Sequence, residues 1–328
     1  MKNLIDSYGR IISYMRISVT DRCNMRCTYC MPADGVEFVD HDEILTYEEI
    51  LRIVRLSNQL GVRKFRITGG EPLVRKGIVD LMRDINGHEG VETTFTTNAL
   101  LLEDMAEDLK SAGVRRLNIS LDSLNPERFK KITGSDRLSK VMAGIEKAYE
   151  IGFRPIKINV VVMTGINDDE IFDFIELMKY RPYNVRFIEF MPMKENKWGR
   201  TKYLSSEEIE AMVREKYPLE SASDEKSSPS RNYLIDGFAG TLGFISPVSR
   251  HFCDSCNRIR LTSDGHIKSC LLKEGEVDLK AAMRRGAGDD IVRGLIRKAV
   301  MLKPMGHNID EDNPASSTAP RSMSQIGG

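Results

Sequence analysis

The chain carries six cysteines, and they fall into two sets of three. Cys23, Cys27 and Cys30 are spaced CxxxCxxC inside Asp21-Arg-Cys-Asn-Met-Arg-Cys-Thr-Tyr-Cys-Met-Pro32. Cys253, Cys256 and Cys270 are spaced CxxC followed, after a gap, by a third Cys. Three thiolates can hold three irons of a cubane 4Fe-4S cluster and leave the fourth iron open to a substrate or cofactor. The competing chemistry is zinc, which wants a fourth donor in a closed tetrahedral site. His41 is the nearby candidate for the first set, and His251 or His266 could complete the second. In a reducing compartment such cysteines serve metals or redox chemistry and not disulfides, and the sequence is read that way here.

Lys plus Arg and Asp plus Glu both number 48, so no global field draws in nucleic acid or a membrane surface. An anionic ligand must be held by a local cluster of bases, and period-two alternation supplies one. Lys64, Arg66 and Thr68 alternate with Phe65 and Ile67, while Arg116, Asn118, Ser120 and Asp122 alternate with Leu117, Ile119 and Leu121. Lys157, Arg186 and Arg16 lie on other strand-like runs. Arg258 and Arg260 alternate on the run that leaves Cys256.

The elements that must position these groups read as a βα repeat. Six runs rich in β-branched residues, Ile12–Val19, Lys64–Thr68, Glu92–Thr97, Arg115–Asp122, Ile156–Met163 and Asn184–Met191, are separated by segments with helical spacing. Those segments center on Tyr47–Leu60, Leu101–Ala112, Leu138–Ile151 and Asp168–Tyr180, and Gly61, Gly113 and Gly152 stand where C-terminal caps belong. A parallel sheet covered by helices normally has two apolar faces. A polar face therefore predicts an α/β fold built as an open, incomplete (βα)6 TIM-like barrel with a ligand in its lumen. The Ser, Glu and Lys content of Leu219–Arg231 predicts a linker or exposed loop, dividing the chain into units 1–230 and 231–328. The second unit is expected to hold short strands as far as Cys270, then helices near Asp278–Arg285 and Asp289–Leu302, then a polar tail from Asn308. Apolar runs such as Ile156–Met163 are far shorter than the roughly 20 residues that span a bilayer, and the first ten residues are polar for a signal peptide. A soluble, cytoplasmic protein is expected.

The first cysteine set, with the aromatic Tyr29 before its last Cys, is similar to the signature of the radical S-adenosylmethionine superfamily. Gly69-Gly70-Glu71-Pro72 resembles that superfamily's GGEP motif, and Ser120 and Asp122 in Asn-Ile-Ser-Leu-Asp-Ser resemble its cofactor-contacting strand end. The resemblance narrows further. Tyr14-Met-Arg-Ile-Ser-Val-Thr-Asp-Arg-Cys23, the segment Ser249–Gly265 with Cys270-Leu-Leu, and the terminal Gly327-Gly328 are similar to the GTP 3′,8-cyclase family, which opens molybdenum-cofactor biosynthesis. That resemblance implies two 4Fe-4S clusters, one on each cysteine set, with S-adenosylmethionine on the first and GTP on the second. It implies cofactor contacts from Tyr29, Gly70, Glu71, Ser120 and Met191. Substrate contacts would come from Arg16, Lys64, Arg66, Thr97, Lys157, Arg186 and the segment Arg258, Ile259, Arg260. A catalytic tail would end in Gly327 and Gly328. Partners implied are a flavodoxin-type electron donor, a downstream cyclic pyranopterin monophosphate synthase and a second copy of the chain in a homodimer.

Two other functions fit parts of this pattern. A peptide maturase of the same superfamily also carries auxiliary clusters, although usually with more C-terminal cysteines. A protein with two zinc sites that binds RNA would need a basic, aromatic stripe that the neutral composition does not provide.

Overall fold

A computed structural model describes residues 3–31, 38–193, 196, 198–222, 227–307, 309 and 321–327. Six strands, β1 (Tyr14–Ser18), β2 (Lys64–Thr68), β3 (Glu92–Thr97), β4 (Leu117–Ser120), β5 (Ile156–Val162) and β6 (Tyr183–Glu189), pair in chain order, each parallel to the next. Helices connect them: α1 (Tyr47–Gln59), α2 (Ile78–Asn86), α3 (Leu102–Ser111), α4 (Pro126–Thr133), α5 (Leu138–Glu150) and α6 (Ile171–Glu176). All six strands coincide with the β-branched runs of the sequence. Apolar spacing left α2 and α4 unread, because nine and eight residues are too few to show a helical period clearly. The local signal for α4 was Asn125-Pro126, in which the Asn125 side chain accepts from Arg128 N and Pro126 needs no partner for an N–H it lacks.

The outer strand face is the core. Met15, Ile17, Phe65, Ile67, Phe95, Ile119 and Ile158 are inaccessible to solvent and form one cluster with Ile53 and Val54 of α1, Ala106 and Leu109 of α3, and Val141 of α5. Truncating one of these large side chains, Phe65→Ala for instance, removes about 3–5 kcal/mol by leaving a cavity. Helix α1 starts where it does because Thr46 and Glu49 form a capping box: Thr46 Oγ1 accepts from Glu49 N at 3.2 Å and Glu49 Oε2 from Thr46 N at 2.8 Å.

The C-terminal third extends this sheet at both edges. After α7 (Ser206–Lys216) come β7 (Glu220–Ser221), β8 (Ser230–Leu234) and β9 (Thr241–Ile245), with β9 parallel to β6 and the other two antiparallel outside it. Strand β10 (Arg258–Leu261) runs parallel to β1 at the opposite edge, followed outward by β11 (His266–Lys268) and β12 (Glu276–Asp278). The order is β12-β11-β10-β1-β2-β3-β4-β5-β6-β9-β8-β7 among the described residues. Leu219–Arg231, expected as a linker or exposed loop, therefore contributes β7 and the start of β8. Its polar composition suits an edge that faces water, while its backbone groups pair within the sheet. Helices α8 (Lys280–Arg284) and α9 (Asp289–Met301) follow, and α10 (Met323–Ile326) lies near the chain end. No described helix is long and apolar enough to cross a membrane. The fold is an α/β partial TIM-like barrel with a C-terminal extension.

Candidate active site

The first cysteine loop leaves the C-terminal end of β1 and is fixed from three sides. Arg26 N donates to Thr133 O (2.7 Å) and Thr28 N to Ile132 O (2.9 Å), which ties the loop to the end of α4. Gly70 N donates to Thr20 O (2.7 Å) and Glu71 N to Arg22 O (2.8 Å), which ties it to the Gly-Gly-Glu-Pro turn after β2. A Cβ on Gly70 would sit 2.3 Å from Arg22 O, and one on Gly69 2.7 Å from Thr20 O. The close approach of the cysteine loop thus requires glycine at both positions. The Glu71 carboxylate is buried and accepts from Leu73 N (3.0 Å), Thr97 Oγ1 (2.8 Å) and Asn98 N (2.7 Å), so it staples the ends of β2 and β3. Burial outweighs those donors and pushes its pKa up to about 7.

Tyr29, within the cysteine motif, donates its hydroxyl to Asp122 Oδ2 (2.7 Å), whose other oxygen accepts from Val161 N (2.8 Å). Burial raises the Asp122 carboxyl to about 6. Asn98 went unrecognised in the sequence. Its amide donates to Asn24 Oδ1 at 2.8 Å and lies 3.8 Å from Cys23 Sγ, so it orients the motif from β3. Burial and then the Asp122 charge hold Cys27 well above the usual thiol range, and burial takes Cys30 to about 12. A bound metal reverses that balance because coordination deprotonates a thiol outright.

Strand register gathers the bases. Arg260, Arg16, Arg66 and Thr94 form one row across β10, β1, β2 and β3, and Arg258, Tyr14, Lys64 and Glu92 form the next. Lys157 and Arg186 come from β5 and β6 on the far wall. Together with both cysteine sets they line a cavity of about 410 Å³, within the roughly 300–1,000 Å³ of small-molecule sites. Glu92 pairs with Lys64 at 3.6 Å, but among the described residues no carboxylate is ion-paired with Arg16, Arg66, Lys157, Arg258 or Arg260. Burial, with Arg260 and Arg66 adding repulsion, drives Arg16 well below its ordinary pKa. Burial, then Arg186, Arg66 and Lys64, lowers Lys157 to about 7. Arg16 Nε, Thr96 Oγ1, Asn159 Oδ1 and Arg258 Nε are buried in the same wall without hydrogen-bond partners among the described residues. Unpaired donors and like charges at this density fit a polyanionic, polar ligand.

The second cysteine set faces the first across this cavity. Burial opposes ionisation of Cys256, but Arg258 and Lys303 outweigh it and bring the thiol down to about 7. The donor chemistry of both sets fits iron-sulfur clusters: three thiols each, opening on one cavity. His266 instead lies on β11, 3.3 Å from Asp264, and does not line the cavity.

The chain end reaches this site. Arg321 binds Asp264 (2.9 Å) and Glu276 (2.6 Å), Ile326 is fully buried, and the Ser324 backbone hydrogen-bonds the Cys30 sulfur. Arg260 donates to Gly327 O, and Gly327 has φ 70°. A Cβ there would meet Thr68 Cγ2 at 2.6 Å. Gly328 lies outside the described residues. Of the other residues singled out in the sequence, Tyr29, Gly70, Glu71, Ser120, Met191, Arg16, Lys64, Arg66, Thr97, Lys157, Arg186, Arg258, Arg260 and all six cysteines line the cavity. Ile259 does not: its side chain is wholly buried in the core, because it alternates with the two arginines. Tyr14 and Lys303 also line the wall without having been singled out. Tyr14 was legible from its same-face spacing to Arg16, whereas only the fold brings Lys303 in.

Residues 17–178 match the Radical SAM superfamily and residues 183–309 match Molybdenum Cofactor Synthesis C. The chain is 47% identical to the GTP 3′,8-cyclase of Alkaliphilus oremlandii, over 98% of this chain and 99% of that one. It is 45% identical to the GTP 3′,8-cyclase of Syntrophomonas wolfei, over 99% and 100%. Streptococcus suis SuiB shares the fold at 15% identity, with a TM-score of 0.59 over 88% of this chain and 69% of that chain. The same protein bound to S-adenosylmethionine gives a TM-score of 0.56 at 17% identity. The chain belongs to the GTP 3′,8-cyclase family of the radical S-adenosylmethionine superfamily.

Proposed function

We propose that this chain converts GTP to (8S)-3′,8-cyclo-7,8-dihydroguanosine 5′-triphosphate, the first step of molybdenum-cofactor biosynthesis. The observation that carries the reading is the cavity itself, which is lined by two three-cysteine sets and by Arg16, Arg66, Lys157, Arg258 and Arg260, none of them ion-paired with a carboxylate among the described residues. Cys23, Cys27 and Cys30 would hold a 4Fe-4S cluster that, with S-adenosylmethionine, would supply the radical chemistry needed to join ribose C3′ to guanine C8.

The chain's own residues bind, orient and shield. Arg16, Lys64, Arg66, Lys157 and Arg186 hold the triphosphate, and the like-charge repulsion among them is relieved as it enters. Arg258 and Arg260 face the same ligand from β10, beside the second cluster on Cys253, Cys256 and Cys270 that receives the base. Tyr29, held by Asp122, with Ser120, Met191 and the Gly70 turn, positions S-adenosylmethionine. Glu71 and Thr97 act through each other, fixing two strand ends, because their polar atoms are already engaged. Gly327, held by Arg260, stands beside the substrate-binding cations, and the terminal Gly-Gly pair supports catalysis. Residues 1–230 form the radical-generating unit and 231–328 the substrate unit. A flavodoxin-type donor would supply two electrons, one to cleave S-adenosylmethionine and one, with a proton, to reduce the cyclised nucleotide; a cyclic pyranopterin monophosphate synthase would take the product onward, and the protein would work in the cytoplasm, in a homodimer.

Anaerobic incubation with GTP, S-adenosylmethionine and a reductant should yield one 5′-deoxyadenosine per cyclised nucleotide. GTP deuterated at C3′ should pass its label to 5′-deoxyadenosine. Cofactor cleavage without any cyclised nucleotide, combined with turnover of a peptide, would favor the maturase reading.

A further inference from the structure

Beside the second cysteine set lie two imidazoles that a three-cysteine cluster does not use, grouped with one of its thiols. Ligand atoms of His251, Cys253 and His307 all lie within 4.8 Å of one another. The two imidazoles stack with ring centroids 4.1 Å apart at 33°. Segment 304–307 is laid against Cys253: a Cβ on Gly306 would be 3.6 Å from Cys253 Cβ and 3.8 Å from its sulfur. Arg10 clamps both partners, donating to Cys253 O (2.8 Å), Met305 O (2.9 Å) and Pro304 O (2.6 Å), and Asp6 in turn holds Arg10 at 2.6 Å. The fold therefore brings His307 to the neighboring pair His251 and Cys253 from more than fifty residues away.

A spacing of at most 4.8 Å admits a single ion after a small closing movement of the donors. With metal–sulfur near 2.3 Å and metal–nitrogen near 2.0–2.1 Å, two donors on one tetrahedral ion stand roughly 3.5 Å apart. Donors on separate irons of a cubane stand farther apart than that. Two imidazoles and one thiolate match a borderline divalent ion such as Zn²⁺, Co²⁺ or Fe²⁺. His307 Nδ1 lies 3.4 Å from Ile309 N, so ligation through Nε2 requires the ring proton on Nδ1 and release of that long contact.

We infer that His251, Cys253 and His307 form a mononuclear site for a borderline divalent cation, occupied when the second cluster is absent and exclusive of it because both need the Cys253 sulfur. The three protein donors leave a fourth position for water. A chain that has lost its second cluster is then captured in a mononuclear form, and rebuilding the cluster requires removal of that ion. Only this last competition rests on the cluster reading of the second cysteine set.

The test uses full-length chain in which Cys23, Cys27 and Cys30 are replaced by Ala, stripped of metal, so that Co²⁺ reports on the second set alone. One equivalent of Co²⁺ should bind with the visible spectrum of a tetrahedral thiolate-imidazole site. Adding His251→Ala and His307→Ala, with far-UV circular dichroism unchanged, should weaken Co²⁺ by more than the roughly 10- to 100-fold that loss of an outer-shell partner costs. No Co²⁺ uptake by the parent, or equal affinity in the histidine variant, overturns the site. One equivalent of Zn²⁺ should block rebuilding of the second cluster, read as iron and sulfide content, in the parent but not in the histidine variant. Equal blocking in both places the ion on the cysteines alone and overturns it too. If neither protein builds a cluster even without Zn²⁺, the cluster reading fails while the Co²⁺ result still decides the site.

Discussion

Lys157 offers the sharpest test of the cationic wall, because burial and the neighboring Arg186, Arg66 and Lys64 hold its pKa near 7 in the ligand-free protein. About half of the molecules then carry that charge at pH 7. A bound triphosphate supplies the missing counter-charge and returns the pKa toward its ordinary value, so GTP binding at pH 7 should take up roughly 0.5 proton at this residue. Between pH 7 and pH 8 the charged fraction falls from about one half to about one eleventh. Affinity should drop roughly fivefold, or about 1 kcal/mol. Lys157→Arg keeps the charge and stays protonated throughout, so its proton uptake and this part of its pH slope should vanish. Calorimetry of anaerobic holoenzyme with GTP, in buffers of different ionisation enthalpy, measures the uptake directly. The γ-phosphate and Glu71 also titrate near this range, but they contribute equally to both proteins, so the difference isolates Lys157. Identical uptake and identical slopes in wild type and Lys157→Arg would refute the argument. For the ligand-free fold the linkage also has a definite sign: the unfolded chain binds the extra proton between pH 7 and about 10.4, so this residue favors stability as pH rises there.

Gly70→Ala should push the cysteine loop, through Arg22 O, away from the turn after β2 at a cost of about 1–3 kcal/mol, and should lower iron retention by the first set more than by the second. Wild-type iron content and melting temperature would dismiss the steric account. Replacing Cys23, Cys27 and Cys30 by Ala should abolish cleavage of S-adenosylmethionine, and replacing Cys253, Cys256 and Cys270 should spare cleavage while halving iron from about eight to about four per chain; tightly bound zinc in the second set of freshly isolated wild type would contradict this. Arg260→Ala should lose roughly 1.5–3 kcal/mol of GTP binding through one charged contact, measured by equilibrium binding, and unchanged affinity would remove it from the site. Deleting Gly327 and Gly328 should leave both clusters and most GTP affinity intact while cutting product formation about a hundredfold, since misplacement of the reacting atoms alone can cost that much. Wild-type turnover would show the pair to be dispensable.

The alternation of Lys64, Arg66 and Thr68 against Phe65 and Ile67 already announced strands with one polar face, because side-chain direction in a strand follows from position alone. The spacing of Cys23, Cys27 and Cys30 was equally explicit, since one loop carries all three. Neither could say which strands neighbor each other. Only the sheet order sets β10 beside β1, aligning Arg260 with Arg16 and Arg66 in a row that no local pattern contains. The strand ends within Leu219–Arg231 were not legible for a related reason: edge strands are polar, and the partners of β7 and β8, which are β8 and β9, follow later in the chain. The reason for Gly70 was likewise tertiary, residing in the carbonyl of Arg22 and not in the turn. His251 and His307 are separated by more than fifty residues, and their meeting at Cys253 depends on Arg10 gripping two loops at once. Sequence determined the chemistry each segment could offer, because donor type and local spacing are covalent facts. Long-range contact decided which donors share a cavity, because proximity across the chain arises only when packing and strand register are satisfied together.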